Sequence, residues 1–260
     1  LLTRGVKDHG GSVLMSIANA FRLRFRARGD ISDLERAIEY LRLADAKSQS
    51  PYERVGFAIE LGRALIERTE VRPSAADLAG SLEVLEYALQ NAPSGSPLQL
   101  AAANALADAL EAQFGHTDKL GDLNAAFDLR RRVLASAAPG TPDRARALYA
   151  LGNTFLIHLE RRPDRERPER VEEYFRAAAA EAPPSAVLQN AIRQRLARLA
   201  AITGDVARLR MLSEQLVETA QSPGEKLAAY RAWMRAAIAQ RAWSDAGTAA
   251  DNALAAAEQV

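Results

Sequence analysis

Polar side chains, all but one of them amides, recur along this sequence at similar intervals. The chemistry of the amides suits hydrogen bonding to a polypeptide. Asn19, Arg63, Asn104 and Asn153 follow one another at intervals of 44, 41 and 49 residues, and Gln194 comes 41 residues later. An amide offers an oxygen acceptor and two N–H donors, which match the C=O and N–H groups of one peptide unit. Alternatively, these amides bond to neighbours on their own helices or to water on a polar face. Either way, a repeated element must place the five side chains at corresponding positions.

The surroundings of the first four positions predict that element to be the first helix of a repeated unit. Four short segments align, each with alanine or glycine second: Ile17–Phe21, Leu61–Leu65, Ala102–Leu106 and Leu151–Phe155. A small residue there lets a neighbouring helix approach closely. Downstream, the segments 34–38, 78–82, 123–127 and 171–175 also align. They match at their first, fourth and fifth positions, which is the three- and four-residue spacing of a helix face. Two independent registers therefore predict repeated pairs of helices.

Capping residues mark where these helices begin and end. A hydroxyl residue before a proline is typical of a helix start, and it occurs at Ser50-Pro51, Ser96-Pro97, Thr141-Pro142 and Ser222-Pro223, with a looser version at Pro183-Pro184-Ser185. Gly29 is predicted to end the first helix in a left-handed conformation. The segment Ser32–Glu35 predicts a capping box for the second helix, with the serine oxygen accepting from the Glu35 amide. Turns near Gly204 and Trp243 are predicted to divide the fifth and sixth pairs.

Composition and spacing together predict the fold class. The 260 residues are 48% hydrophobic and 26% charged, and they lack the alternating β-branched clusters of strands. A helical pair cannot bury its apolar face alone, whereas stacked pairs share a continuous core. We therefore predict an all-α, right-handed α-solenoid of about six antiparallel helical hairpins, forming a single domain over residues 1–260. The start at Leu1-Leu2 suggests a fragment of a longer protein.

Several classes of function are disfavoured by the composition. A net charge of +1 argues against a nucleic-acid partner, and the absence of cysteine excludes thiolate chemistry within this chain. No apolar run approaches the roughly 20 residues of a membrane helix. His9, His116 and His158 are too scattered for a metal site. We therefore expect no metal, no cofactor, no membrane partner and no enzymatic activity, and we expect a cytoplasmic protein.

The pattern of small residues resembles the first helix of tetratricopeptide repeats, although the units here are longer than the usual 34 residues. The long period, with segments such as ALADAL and LGNTF, more narrowly resembles the tetratricopeptide-like arrays of actinobacterial proteins, which often precede a caspase-like CHAT peptidase domain. The resemblance covers residues 12 to 181 well and the remainder weakly. A CHAT domain needs a His–Cys pair on an α/β fold, so such an enzyme would lie outside this cysteine-free chain.

The resemblance implies a location and a role for the recurring polar residues. In tetratricopeptide repeats the residue after the small one faces the concave groove, where asparagine often hydrogen-bonds an extended peptide. It thus implies peptide-binding roles for Asn19, Asn104, Asn153 and Gln194, with Arg63 holding a carboxylate or carbonyl. The implied function is a protein- or peptide-binding module that senses or regulates for an effector domain outside this chain.

Two other functions remain open from the residues. The array could be a structural scaffold or oligomerisation spacer, and an apolar end surface around Trp233 and Trp243 would favour that reading, although we expect both tryptophans to pack in the core. RNA binding is the third hypothesis, and the near-neutral charge opposes it.

The arginines of the first helix are expected on a solvated surface. Arg22 and Arg26 lie four residues apart on one face, and Arg24 and Arg28 share another. We expect them to pair with carboxylates nearby in sequence, namely Asp30, Glu35 or Glu39. The alternative is a basic groove wall that reads an acidic ligand.

Overall fold

The computed structural model describes residues 10–48, 50–163, 167–181, 185–220 and 222–258. In these ranges the chain forms twelve α-helices and no strand, which confirms the all-α class and the six helical hairpins. The helices are α1 (Gly11–Arg28), α2 (Ile31–Lys47), α3 (Pro51–Val71), α4 (Ala75–Asn91), α5 (Pro97–Thr117), α6 (Leu120–Ser136), α7 (Pro142–Arg161), α8 (Pro168–Glu181), α9 (Ala186–Thr203), α10 (Val206–Thr219), α11 (Pro223–Ala239) and α12 (Trp243–Ala257).

The hairpins fall into two compact units. The first contains α1 to α6 and ends at Ser136, and the second begins at Ala137 and contains α7 to α12. Each unit is a stack of three hairpins in which successive helices pack against one another. The expectation of a single domain over residues 1–260 stays a prediction.

The predicted hydroxyl caps are confirmed. The side chains of Ser50, Ser96, Thr141 and Ser222 each accept a hydrogen bond from the backbone N–H three residues later. Ser185 caps α9 in the same way, while Pro183 and Pro184 lie outside the described residues. These bonds satisfy backbone donors that have no partner inside the helix, which explains why the motif predicted helix starts well.

The first turn departs from the prediction in one detail. Gly29 ends α1 with φ of +73°, as expected. The predicted capping box at Ser32–Glu35 is wrong, because Asp30 caps α2 by accepting from the Ser32 N–H. The left-handed conformation of Gly29 reverses the chain direction in a very short turn, so α2 already begins at Ile31.

The small residues of the first helices allow close packing, as predicted. A Cβ atom added to Gly62 would lie 2.4 Å from the Leu85 Cγ, and one added to Gly152 would lie 3.0 Å from the Phe175 ring. In the first hairpin the equivalent Ala18 is fully buried against Leu34 and Leu65. In these three hairpins the small residue is therefore where the two helices approach each other closely.

The two tryptophans differ. Trp233 is fully buried in the core of α9 to α12, which confirms its predicted packing. The same prediction is wrong for Trp243, whose surface is 67% exposed. The reason is that α12 buries a face made only of alanines, and Trp243 lies off that face together with Leu254.

The first helices of the hairpins form the inner layer of each unit. In the first unit α3 packs against both α1 and α5, while no comparable contact joins α2 to α4 or α4 to α6 over the described residues. In the second unit α9 packs against α7 and, more loosely, α11. The inner layer therefore presents the first helices, which carry the candidate binding residues.

Candidate binding surfaces

Asn19 and Arg63 are brought together in the first unit. They lie on α1 and α3, and both line a cavity of about 380 Å³. Its other lining residues are Arg22, Leu23, Arg26 and Glu60. This cavity offers amide and guanidinium groups side by side, which could bond to the carbonyl groups or carboxylate of a bound chain.

The small residues explain where these side chains lie. Asn19, Arg63, Asn104 and Asn153 are all half-buried and each follows a buried alanine or glycine, so they occupy equivalent positions at the edge of a helix contact. Gln194 is different, because it is exposed and follows the half-buried Arg193 instead of a small residue. The fifth hairpin therefore does not repeat the register that placed Gln194 in the series.

Arg22 corrects the expectation of a solvated arginine surface. It is only 6% exposed, and its Nε and Nη2 atoms donate to the Glu67 carboxylate at 3.1 and 2.9 Å. Its Nη1 atom donates to Glu60. Both carboxylates belong to α3, about 40 residues away in sequence, so local spacing could not identify them.

The neighbouring arginines also have partners that differ from those expected. The exposed Arg26 donates to Glu67 and so shares that carboxylate with Arg22. Arg24 pairs with Asp33 across the first turn. Of the three carboxylates expected as partners, Glu35 pairs with Arg72 of the next hairpin instead.

Two glutamates of α3 in the first unit, Glu67 and Glu70, have pKa values shifted in opposite directions. Burial opposes ionisation of Glu67, but hydrogen bonds from Arg22 and Arg26 outweigh it and hold the pKa of that carboxyl below its usual range. The pKa of Glu70 is raised by burial and by the nearby charges of Glu67 and Asp108. Cations thus cluster beside Asn19, whereas carboxylates gather where α3 faces α5.

Asn104 lies on the same layer but is engaged by a neighbouring helix. Arg130 of α6 donates to the Asn104 side-chain oxygen at 3.0 Å. The same guanidinium bonds to Asp108 and Glu111 and is only 4% exposed. The Asn104 oxygen therefore serves the packing of the third hairpin, which leaves its amide N–H groups as the donors that could face a ligand.

A repeated ion pair closes the first two hairpins. Arg24 and Asp33 are nine residues apart, as are Arg68 and Asp77, and each pair joins the C-terminal part of one helix to the first turn of the next. Arg68 Nε donates to Asp77 at 2.7 Å, and the bond lowers the pKa of the Asp77 carboxyl. Sequence reasoning missed this arrangement, although the nine-residue Arg–Asp spacing recurs 44 residues later.

We expect Asp77→Asn to lower the free energy of unfolding by about 1 kcal/mol at pH 7, because a charged hydrogen bond is lost at a mostly buried site. Because the pKa of Asp77 is lower in the folded chain than in the unfolded chain, the ionised carboxylate stabilises the fold at every pH above the unfolded-state pKa. This contribution is lost as the pH falls through the folded-state pKa. Urea denaturation at pH 7 and pH 3 should therefore show the difference from wild type shrinking in acid.

Asp45→Asn is the matched control for that measurement. Asp45 also pairs with an arginine nine residues away, Arg54, but both side chains are well exposed. Exposed pairs contribute little to stability, so this variant should remain within about 0.5 kcal/mol of wild type. Equal effects of the two substitutions would show that the buried Arg68–Asp77 pair stabilises the fold no more than the exposed Arg54–Asp45 pair.

A second surface lies in the second unit between α9, α10 and α11. It is a cavity of about 640 Å³ in which alanine is the commonest lining residue, and we call it the alanine groove. Gln194 lines it, together with the other polar residues Asn190, Arg198, Ser213, Thr219, Glu225 and Arg235. Asn153, on α7, is not among its lining residues.

The alanine groove was missed at the sequence level. Its signal is the alanine spacing of α9 and α11, where Ala197, Ala201, Ala228, Ala232 and Ala236 recur at three or four residues. Alanine at such spacing usually indicates close helix packing, so nothing local distinguishes a groove from a contact. The loose approach of α9 to α11 decides the outcome here.

The described part of the chain offers neither a cluster of metal ligands nor a helix that could span a membrane. No group of three or more His, Cys, Asp or Glu side chains could hold a metal ion among the described residues. None of the described helices is both long enough and apolar enough to cross a membrane.

Comparison with known proteins gives structural likenesses only. No protein-family model matches the chain, and no curated protein matches it. Among solved structures, the chain is similar to a kinesin light chain-like protein from Podosopora anserina whose TPR-like repeats are nearly identical to one another. The identity is 18%, 96% of each chain is covered, and the TM-score is 0.45. A variant of those repeats is similar at 18% identity, 95% coverage of each chain and a TM-score of 0.44. The description of this chain as an all-α array of helical hairpins accordingly comes from its own helices and their contacts.

Proposed function

We propose that this chain is a protein-interaction module that binds an extended segment of a partner protein along its inner layer of helices. Asn19, Arg63 and Asn104 hold the segment in the first unit, and Asn153 and Gln194 offer polar contacts to a polypeptide in the second unit. The proposal includes a sensing or regulatory role for an effector domain outside this chain, such as a CHAT peptidase, in a cytoplasmic setting.

The observation that supports it most is the cavity shared by Asn19 and Arg63. Two side chains 44 residues apart in sequence converge on one space of about 380 Å³. The Arg63 guanidinium donates to Glu60 at 2.8 Å and is still about one-third exposed, so it keeps further N–H donors for a ligand. Amide and guanidinium groups so placed can bond to a peptide backbone irrespective of its side chains.

The test is a selection of binding peptides from a random twelve-residue library, followed by calorimetric titration of the selected peptides. We expect the double variant Asn19→Ala, Arg63→Ala to bind them about tenfold more weakly or worse, because two hydrogen bonds, one of them charged, are removed. The measurement is the Kd of the same peptides for each folded variant.

A double variant on the second helices serves as control. Asn124 and Arg42 are exposed residues of α6 and α2 and have the same chemistry as Asn19 and Arg63. Asn124→Ala, Arg42→Ala should leave the Kd unchanged. If the control variant weakens binding as much as the test variant, recognition does not occur on the inner layer.

A structural scaffold is the second candidate, and the exposed end of the last hairpin favours it. Trp243 and Leu254 are 67% and 64% exposed and lie on the same face of α12, eleven residues apart. Ile238, near the end of α11, is also exposed. Self-association that is lost in Trp243→Ser, Leu254→Ser, without any selected peptide binding, would place this function first.

A further inference from the structure

We propose that the alanine groove of the second unit binds an amphipathic α-helical segment of a partner protein, with a carboxylate of that segment near Arg235. The inference rests on the proposed interaction function, but it concerns a groove that Asn19 and Arg63 do not line, and a helical rather than an extended ligand.

The shape of the alanine groove suits a short helix. One wall is a stripe of α9 that runs from Asn190 to Ala201, and the other is a stripe of α11 that includes Ala228 and Ala232. Eleven residues of helix span about 16 Å, or three turns. Leu216 of α10 contributes to the floor. Small side chains on both walls leave space for large apolar side chains from one face of a helix.

The chemistry of the lining favours a helix over an extended strand. An extended segment needs hydrogen-bond partners along its backbone, whereas a helix satisfies its own backbone groups. Alanine is the commonest residue of the lining. Among the polar lining residues, the Asn190 oxygen already accepts from Arg193 at 2.7 Å and from Thr219 at 3.1 Å, and Arg198 is bonded to Glu160. Part of the polar lining is therefore already engaged within the protein, whereas the alanines offer an apolar surface that suits one face of a helix.

The charges at the margin define the polarity of the ligand. Arg198 is held by Glu160, while Arg235 has no ion pair or hydrogen bond with any described residue. Glu225 lies at the opposite end of the α11 stripe, about ten residues from Arg235 along the helix. An acidic side chain of the bound helix is thus favoured at the Arg235 end and disfavoured near Glu225.

The test uses a synthetic sixteen-residue amphipathic helix with leucines on one face and two glutamates at one end. Matched peptides carry lysines in place of the glutamates, or a central proline that prevents a helix. Binding is measured by fluorescence anisotropy and by the emission of Trp233 in a Trp243→Phe background, where it is the single tryptophan because the chain has two. Trp233 lies on α11 between Ala232 and Ala236 of the groove wall.

We expect the glutamate peptide to bind wild type and the proline peptide not to bind. Ala232→Glu, at an exposed position of the wall, should weaken binding at least tenfold, and Arg235→Glu should reverse the preference between the glutamate and lysine peptides. Ala255→Glu on α12 and Arg231→Glu on α11 alter exposed residues outside the lining and should have no effect.

Three results would overturn the proposal. These are equal binding of the proline peptide, no saturable binding of the glutamate peptide, and self-association that Ala232→Glu abolishes, which would make the occupant a second copy. Each can occur while Asn19 and Arg63 still bind selected peptides, so failure here is distinguishable from failure of the proposed function.

Discussion

Gly62→Ala is expected to lower the free energy of unfolding by about 2 kcal/mol, although alanine is the better helix former. The added Cβ atom would lie 2.4 Å from the Leu85 Cγ and less than 3 Å from both Cδ atoms. Leu85 is fully buried, so it cannot turn aside without disturbing the core of the second hairpin. Urea denaturation followed by circular dichroism measures the change.

Two further variants test the cause. Gly56 lies in the same helix with nothing within 4 Å of an added Cβ atom, so Gly56→Ala should raise stability by up to about 1 kcal/mol. In a Leu85→Ala background the collision is absent, and Gly62→Ala should then be neutral or stabilising. Destabilisation by Gly62→Ala that persists in that background would refute the steric explanation.

Arg22→Met is expected to have the largest effect, about 3 kcal/mol of lost stability at pH 7. The substitution keeps much of the side-chain volume but removes the buried cation that bonds to both Glu60 and Glu67, which leaves them, among the described residues, only Arg63 and the exposed Arg26. Both carboxylates are mostly buried, at 22% and 18% side-chain exposure, so water replaces the lost bonds poorly.

The effect of Arg22→Met should depend on pH in a definite direction. Glu67 has a pKa below its usual range in the folded chain, so its ionised form stabilises the fold at neutral pH. That contribution is lost as the pH falls through the pKa that Glu67 has in the folded chain. Removing Arg22 should raise the Glu67 pKa, and the difference from wild type should therefore be greatest at pH 7 and smaller near pH 3.

Arg26→Met is the control for this network. Arg26 bonds to the same Glu67 carboxylate but is 58% exposed, so its loss should cost less than about 1 kcal/mol. A comparable loss for both variants would mean that burial of Arg22 does not set the strength of the interaction.

The helices could be predicted from the sequence because their signals are local. Ser50, Ser96, Thr141 and Ser222 satisfy backbone N–H groups three residues away, and Gly29 and Gly204 adopt left-handed conformations beside the helices they end. Such interactions depend on a few neighbouring residues only. Even here the sequence predicts Ser32 as the cap of α2, whereas Asp30 caps it, because two polar residues two positions apart can each cap a helix that begins in this turn.

The candidate site could be predicted only in part. The spacing of Asn19 and Arg63 predicted equivalent positions, and both line one cavity. The same spacing did not show that Arg130 engages Asn104, or that Gln194 lies in a groove of alanines. Those relations depend on which faces of neighbouring helices meet.

The amino-acid sequence by itself determined the helices, their pairing into hairpins and the small residues where hairpins close, because periodicity and capping act over a few residues. Only the tertiary structure decided that Arg22 is buried between Glu60 and Glu67, that Trp243 is exposed while Trp233 is not, and that α9, α10 and α11 leave a groove between them. These outcomes depend on the distance and rotation between helices, which arise from the packing of many side chains at once.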